Sequence, residues 1–253
     1  MRQALYVYCV VWSPNKPVKF EAKGISGKQV YPVYYKDLAL IIHECNPIPY
    51  SSKDPKKVSE WVKKHGQIID EVWDTFGNVL PFSFNTIIKE TSKQSAFDNA
   101  ISWLEEKHGV IIQKMRELDS QAEFGVQIYW DRKRACDSLL KNEPTLLNLQ
   151  KEMAEKGEGA KFLFQEKLEK ELRQLLEKEG LKWTDEFLNK IKGVVSQFKI
   201  EKSKEEGMIL NLSCLTGKEK SELGEVLEEI KNLEEFQVRF TGPWPPYSFS
   251  SLA

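Results

Sequence analysis

Histidine and cysteine supply much of the metal binding, redox chemistry and nucleophilic catalysis of proteins, and this chain has few of either. Its three histidines and four cysteines follow none of the spacings of a zinc site or a disulfide framework: Cys9, His43, Cys45, His65, His108, Cys136 and Cys214. No serine or cysteine stands with a histidine in a known local catalytic signature. We therefore expect no enzyme, no metal site and no cofactor, and we interpret His65 as a histidine at the edge of the core.

A second candidate is a phosphate-binding loop, because Thr216-Gly217-Lys218 resembles the end of the G-x-x-x-x-G-K-[ST] motif. The first glycine of that motif would fall on Leu212, and Glu219 replaces the serine or threonine. The same residues fit a Thr-x-x-Glu capping box, in which side chains at a helix start bond to backbone N–H groups. We therefore predict a helix N-terminus here rather than a nucleotide site.

The remaining candidates are carboxylate pairs and a short glycine motif. Adjacent residues of a helix point to different faces, which favours solvated charges over acid–base pairs at Glu105-Glu106, Glu228-Glu229 and Glu234-Glu235. Gly157-x-Gly159 lacks both the preceding strand and the third glycine of a dinucleotide-binding turn. Nothing in these patterns indicates catalysis.

The C-terminal segment is the most unusual part of the sequence. It combines aromatic residues with three prolines, which favour an extended path, and it contains our candidate partner-binding residues: Pro243, Trp244, Pro245, Pro246, Tyr247 and Phe249. Exposed aromatic residues favour association, so the tail either folds back on its own chain or is held out for a partner. Pro243-x-x-Pro246 also fits the minimal pattern of an SH3 ligand.

We predict that this tail docks over the second domain and forms part of a partner surface. Trp244 and Phe249 are the expected anchors, and the Tyr247 hydroxyl is expected to face a polar group. Because proline cannot donate a ladder hydrogen bond, the last strand is expected to stop before Pro243.

The first 120 residues have the pattern of an α+β domain. Hydrophobic runs and turn residues predict strands over 3–12, 30–35, 38–43 and 79–88. Asp54 and Pro55 predict the start of a helix that ends at Gly77-Asn78, and Thr91 or Ser92 is expected to cap the next one. The apolar stripe of the first helix includes both of its tryptophans: Val58, Trp61, Val62, His65, Ile69, Val72 and Trp73.

Residues 121–241 have a different pattern. Predicted strands are 123–130, 194–201, 208–215 and 236–240, with helical sequence over 132–178 that breaks near 157–159. Thr184 is expected to cap a short helix, and Thr216 the last one. The order is β-α-β-β-α-β, which is typical of a ferredoxin-like domain with added helices. We therefore expect a two-domain α+β protein: 1–120, 121–241 and a tail over 242–253, with the two halves folding separately.

Composition excludes several classes of function. The 37 basic and 38 acidic side chains leave a net charge of −1, which argues against a protein that binds the nucleic-acid backbone. The strand over 208–215 lacks the base-stacking aromatics of RNA-recognition motifs. The longest aliphatic run, over 38–42, is much shorter than the roughly 20 residues of a membrane span. We expect a cytoplasmic protein with reduced thiols and neither nucleic acid nor membrane as a partner.

The tail sequence Thr-Gly-Pro-Trp-Pro-Pro-Tyr-Ser-Phe over 241–249 resembles the C-terminal signature of the gas vesicle GvpF/GvpL family. Other segments are similar to family motifs in the same order, and they lie at 6–10, 37–42, 79–86, 123–129, 159–163 and 208–212. Two positions depart from the family pattern: Asn85 stands where glycine is usual, and Ser83 where arginine is usual. If that arginine binds something in other members, the contact is lost here.

The resemblance implies a non-enzymatic accessory protein associated with gas vesicles, with a modified ferredoxin fold in its second domain. It also implies binding to the hydrophobic shell protein GvpA, to other accessory proteins, or to both, in support of vesicle nucleation or growth. No small-molecule substrate is expected. The alternative is a ligand-binding or enzymatic α+β protein with an unidentified small-molecule site; RNA binding would require a steep dependence on salt.

Overall fold

The structure, a computed structural model, describes residues 4–13, 19–155, 157–203, 205–219 and 221–252. These residues form two compact units. One contains the chain up to Glu123 together with the tail from Pro243 onward, and the other is Phe124–Gly242. The tail therefore belongs with the first unit, and the expected dock over the second domain is wrong. Separate folding of the two halves, with boundaries at 120 and 241, stays a prediction.

The first unit is built on a sheet whose strands differ in length and surround one long strand, β1 (Ala4–Trp12). The other strands are β2 (Ala22–Lys23), β3 (Gln29–Tyr35), β4 (Leu38–Cys45), β5 (Leu80–Pro81) and β6 (Ile87–Lys89). The order is β2-β3-β4-β1-β5, and β6 also pairs with β1. Strand β1 is buried along nearly its whole length, because it has neighbours on both edges and packed side chains on both faces.

Helix α1 (Pro55–Phe76) begins and ends where the sequence predicts. The Asp54 side chain accepts a hydrogen bond from the Lys56 N–H, and Gly77 ends the helix with a φ of 77°. That left-handed conformation favours glycine, which has no Cβ to clash. The buried face includes His65 and Ile69, whereas Val62 is exposed and Trp61 and Trp73 are only partly buried against the core. The predicted stripe is therefore wider than the face that packs.

Two expectations in this unit are wrong. The predicted strand over 79–88 is two short strands, β5 and β6, because a turn at Asn85, with a φ of 70°, interrupts the pairing. Helix α2 (Ala96–Glu117) is capped by Ser95, whose hydroxyl accepts from the Asp98 N–H. Thr91 instead accepts from the backbone of Gln94 in a local turn, so it is not available as the cap.

The second unit has a four-stranded sheet in the order β10-β7-β9-β8. The strands are β7 (Gln121–Trp130), β8 (Gln197–Ile200), β9 (Met208–Gly217) and β10 (Phe236–Trp244); the helices are α3 (Arg132–Asn142), α4 (Pro144–Ala154), α5 (Glu158–Lys192) and α6 (Ser221–Lys231). Strands β8 and β9 pair antiparallel. The core is apolar and aromatic, with the Phe187 and Phe236 rings in edge-to-face contact at 4.8 Å.

Three predicted boundaries fail in this unit. Thr184 lies inside α5, where its hydroxyl donates to the Gly180 carbonyl one turn earlier, so no new helix begins there. Thr216 lies in β9, and the last helix begins at Ser221 rather than at a capping box on Thr216. Strand β10 runs through Pro243 to Trp244, because it lies at the edge of the sheet, where a missing N–H is tolerated.

Candidate functional site

The first unit buries a cluster of tyrosine and histidine side chains beside its sheet. Tyr6 and Tyr8 come from β1, His43 from β4 and His65 from α1, and all four are nearly inaccessible to solvent. The β1–β4 pairing puts Tyr6 opposite His43, and the register shifts at Tyr8. Such a β-bulge re-aims side chains, which explains why Tyr6, Tyr8 and the following Cys9 all face the same core. The Tyr6 and His43 rings stack at 4.9 Å.

One hydrogen-bond chain runs from the backbone of Ile25 to Tyr50. The Ile25 N–H donates to the Tyr8 hydroxyl at 3.1 Å. Tyr8 lies 2.9 Å from His43 Nδ1, and His43 Nε2 lies 2.9 Å from the Tyr50 hydroxyl. The Tyr8 hydroxyl is buried, and His43 Nδ1 is the acceptor that the described residues offer it, so Tyr8 donates to Nδ1 of a neutral His43. Nε2 then carries the ring proton and donates to Tyr50.

A second hydrogen-bond chain runs from Asn85 through Tyr6 to His65, and the Phe82 carbonyl at its end fixes its direction. His65 Nε2 lies 3.0 Å from the Phe82 carbonyl, which only accepts, so Nε2 carries the proton. His65 Nδ1 then accepts from the Tyr6 hydroxyl at 3.0 Å. Tyr6 in turn accepts from the Asn85 N–H at 3.1 Å. Both histidines are therefore hydrogen-bonded as neutral rings.

Burial supports this assignment of protons. Desolvation lowers the pKa of His43 to about 4, with smaller contributions from Lys28 and His65, and it lowers the pKa of His65 as well. Desolvation raises the pKa of Tyr6 and of Tyr8 far above its usual range. All four groups therefore stay neutral through the physiological range, and their hydrogen bonds organise the core. The interpretation of His65 as a core residue is confirmed.

Asn85 links the cluster to the loop after β4. Its side-chain oxygen accepts from the Tyr50 N–H at 2.8 Å, and its amide donates to the Tyr50 carbonyl at 3.1 Å. Its φ of 70° lies in the left-handed region, which glycine and asparagine tolerate best. The position thus needs a residue of this kind, and asparagine adds two bonds to Tyr50 that glycine cannot make.

A close backbone approach completes the cluster. Gly24 lies against the Tyr8 hydroxyl, and a Cβ at this position would overlap that oxygen. The glycine therefore allows the Ile25 N–H to reach Tyr8. The sequence does not indicate the roles of His43 and Tyr50, because their partners are distant in the chain. The alternation of tyrosines in β1 was the available signal.

The tail is the second candidate region, and it is held by a buried carboxylate of the same unit. Glu123 accepts from the Ser248 N–H at 2.7 Å and from the Ser248 hydroxyl at 2.5 Å. Ser248 lies in a short 3-10 helix, Tyr247–Phe249, and Phe249 is buried. This pair of bonds fixes both the path and the register of the tail.

The predicted tail residues divide into buried and exposed sets. Pro245, Pro246 and Phe249 are buried, and the role of Phe249 as an intramolecular anchor is supported by that burial. Trp244 is 47% exposed and is therefore not an anchor within the chain. Pro243 and Tyr247 are exposed too. No part of the described chain makes a hydrogen bond to the Tyr247 hydroxyl; desolvation and then the carboxylate of Asp70 raise the pKa of this phenol.

The described residues contain no group of three or more histidine, cysteine or acidic side chains that could hold a metal ion. Among the helices of the described residues, none combines the length and the apolar character needed to cross a membrane.

Comparison with known proteins gives consistent matches over nearly all of the chain. The model of the family described as gas vesicle synthesis protein GvpL/GvpF matches residues 4–251. Gas vesicle protein L of Haloferax mediterranei is 25% identical, over 92% of this chain and 74% of its own length. Gas vesicle protein L1 of Halobacterium salinarum is also 25% identical, over 97% of this chain and 89% of its own length. Gas vesicle protein F1 of that organism is 21% identical, over 100% of this chain and 95% of its own length.

Two solved structures share the fold. The crystal structure of GvpF from Anabaena superposes with a TM-score of 0.75 at 18% identity and covers 99% of both chains. GvpF from Microcystis aeruginosa superposes with a TM-score of 0.68 at 16% identity, over 98% of this chain and 99% of its own. The mixed helix and strand architecture is thus that of the GvpF structures.

Proposed function

Because this chain belongs to the GvpL/GvpF family of gas vesicle synthesis proteins, we propose that it is a non-enzymatic accessory protein of vesicle assembly. In this role it binds the hydrophobic shell protein GvpA, other accessory proteins, or both, and supports vesicle nucleation or growth. It acts in the cytoplasm in association with gas vesicles.

The observation that carries the proposal is the combination of a fixed backbone and exposed rings in the tail. Glu123 and the buried Phe249 hold the segment, yet Trp244 and Tyr247 keep 47% and 37% of their surface exposed. Aromatic residues presented on an ordered segment lose little conformational freedom on binding, and they dominate many protein interfaces. A hydrophobic shell subunit is a suitable partner for such a surface.

An apolar pocket in the first unit supports the same function. It encloses about 250 Å³, and the side chains around it include Val7, Leu40, Phe82, Ile88 and Trp103. A pocket of this size receives one large apolar side chain. Burying such a side chain contributes roughly 1.5–3 kcal/mol, which is enough to help recognise an apolar subunit.

We also propose the finer architecture that goes with the family: two domains, the second of them ferredoxin-like. The sheet of the second unit supports this architecture. Its last strand, β10, lies beside its first, β7, and its third strand, β9, lies beside its second, β8. Helices follow the first and third strands, as the β-α-β-β-α-β order expects.

The test is co-purification of the tagged protein with each vesicle protein expressed singly. We expect capture of the shell subunit or of an accessory protein, and Trp244→Ala should reduce it about tenfold or more without lowering the melting temperature. Phe97→Ala is the matched control, since Phe97 is 46% exposed on the first unit. Capture of nothing, or equal capture by Trp244→Ala and the unaltered protein, would contradict the proposal.

A further inference from the structure

The sheet of the second unit ends on one side at β8, and within the described part of the chain no strand pairs with the outer edge of β8. Its neighbour on the other edge is β9. Gln197 and Lys199 are exposed, and Ile200 is 63% exposed. An edge of this kind presents backbone N–H and C=O groups to which another strand can add.

The pairing with β9 shows which backbone groups of β8 point outward. Ile200 lies opposite Leu212, and one residue further the Glu201 N–H donates to the Asn211 carbonyl at 2.8 Å. Along an antiparallel ladder, hydrogen-bonded pairs alternate with pairs that are not hydrogen-bonded. The N–H and C=O of Ile200 therefore point away from β9, and those of Phe198, two residues earlier, do the same.

The two edges of this sheet are protected in different ways. Strand β10, at the other edge, contains Pro243, which has no N–H to offer to an added strand. Strand β8 contains no proline, but it contains Lys199. Lysine on an edge disfavours an added strand that carries a positive charge directly opposite. The edge of β8 is therefore open to a strand that carries a negative charge at that position.

Charge selects the strand that fits this edge. Lys199 and Glu201 are exposed and lie two residues apart, on one face of the extended chain. Their opposite residues in β9, Ser213 and Asn211, are neutral. An added strand thus needs an acidic residue opposite Lys199 and a basic residue opposite Glu201. A second copy of β8, antiparallel and centred on Ile200, supplies both, because Lys199 of each copy lies opposite Glu201 of the other.

Other registers of two copies lack this match. Pairing centred on Lys199 brings two lysines together, and pairing centred on Glu201 brings two glutamates together; like charges directly opposite each other destabilise a strand pair. Pairing centred on Phe198 places Lys199 opposite the neutral Gln197. The register centred on Ile200 is the one of these four that joins opposite charges, and it also covers the exposed Ile200 side chains.

We propose that the outer edge of β8 binds the same edge of a second copy of this chain, so that the two sheets become continuous. The Ile200 N–H of each copy donates to the Ile200 carbonyl of the other, and two Lys199–Glu201 ion pairs flank these bonds. The edge is short, so the interface is smaller than the roughly 1,600 Å² of a standard one, and self-association should be weak and dependent on concentration.

The test is sedimentation of the full chain from about 1 to about 300 µM, in which we expect a reversible dimer with a Kd of about 100 µM or tighter. Lys199→Glu and Glu201→Lys should each weaken the dimer about tenfold or more, because like charges then face each other. An equimolar mixture of these two variants should restore association, and so should the double variant Lys199→Glu/Glu201→Lys. Lys170→Glu is the matched control, since Lys170 is an exposed lysine on α5 of the same unit, and it should change nothing.

A second variant tests the backbone bonds. Because the Ile200 N–H points away from β9, Ile200→Pro removes this donor without breaking the ladder, and it should abolish the dimer at an unchanged melting temperature. If this variant fails to fold, the charge variants at exposed positions still decide.

A chain that stays monomeric at about 300 µM would overturn the proposal. Equal dimerisation of Lys199→Glu and the unaltered chain would also overturn it, because the contact would then lie elsewhere. A mixture that fails to restore association would exclude the register centred on Ile200. Trp244→Ala should dimerise normally, so failure here is separate from failure of capture through the tail.

Discussion

In the first unit, two histidines and two tyrosines lie side by side in the core, whereas the core of the second unit centres on packed rings such as Phe187, Phe236 and Trp183. Hydrogen bonds are directional, and each member of the first cluster has a partner that fixes its proton. Dispersion and burial are less directional, so the second core specifies shape rather than proton positions.

The largest expected effect lies in the apolar core. Phe187→Ala removes a fully buried ring that packs on Phe236, so it should lower the free energy of unfolding by about 3–5 kcal/mol. Urea unfolding followed by circular dichroism measures this. Phe162→Ala is the control on the same helix, α5, because Phe162 is 66% exposed. A loss below about 1 kcal/mol for Phe187→Ala would mean that packing is not what stabilises this core.

The buried histidines should make stability depend on pH. The pKa of His43 falls from 6.5 to about 4 on folding, so the unfolded chain binds more protons between these values. Stability should therefore decrease as the pH is lowered from 6.5 towards 4, by up to about 3 kcal/mol, and His65 adds to the loss. Urea unfolding at several pH values tests this, and His43→Gln should reduce the slope. A flat profile in the unaltered protein would contradict the neutral cluster.

Removing a single hydroxyl of the cluster should lower the free energy of unfolding less than removing a ring of the apolar core. Tyr8→Phe leaves the Ile25 N–H without its acceptor and His43 Nδ1 without its donor, so we expect a loss of about 1–3 kcal/mol. Tyr35→Phe is the matched control, since its hydroxyl bonds to Glu105 at the surface and should change stability by about 0.5 kcal/mol or less. Equal effects of the two changes would show that burial adds nothing to the Tyr8 bonds.

The smallest expected effect is at Asn85. Asn85→Gly removes two bonds to Tyr50 but relieves the left-handed backbone, so the net loss should be about 1 kcal/mol or less. Asn85→Ala removes the same bonds and keeps the strain, so its loss should be larger. Comparing the melting temperatures of the two variants isolates the backbone contribution. The opposite order would refute the account of this position.

Local features of the fold were predictable from the sequence. Asp54, Pro55 and Gly77 delimit α1 as expected, because capping depends on residues within a few positions of each other. The order of strands and helices in the second unit also followed from hydrophobic patterns. Predictions that rested on short motifs failed at Thr184 and Thr216, because a hydroxyl in either place finds a backbone carbonyl without starting a helix.

The candidate sites depended on contacts between distant parts of the chain. The sequence identified the aromatic tail and its family resemblance, but Glu123 and Ser248 lie 125 positions apart, and only the tertiary structure shows that the tail joins the first unit. The same holds for Tyr6 and His65, which are separated by 59 positions. The spacing of hydrophobic residues in the sequence indicates which face of a helix or strand is buried. Which polar groups meet on that face is decided by how the sheet, helix and loops pack, because each buried donor must find its acceptor in the folded chain.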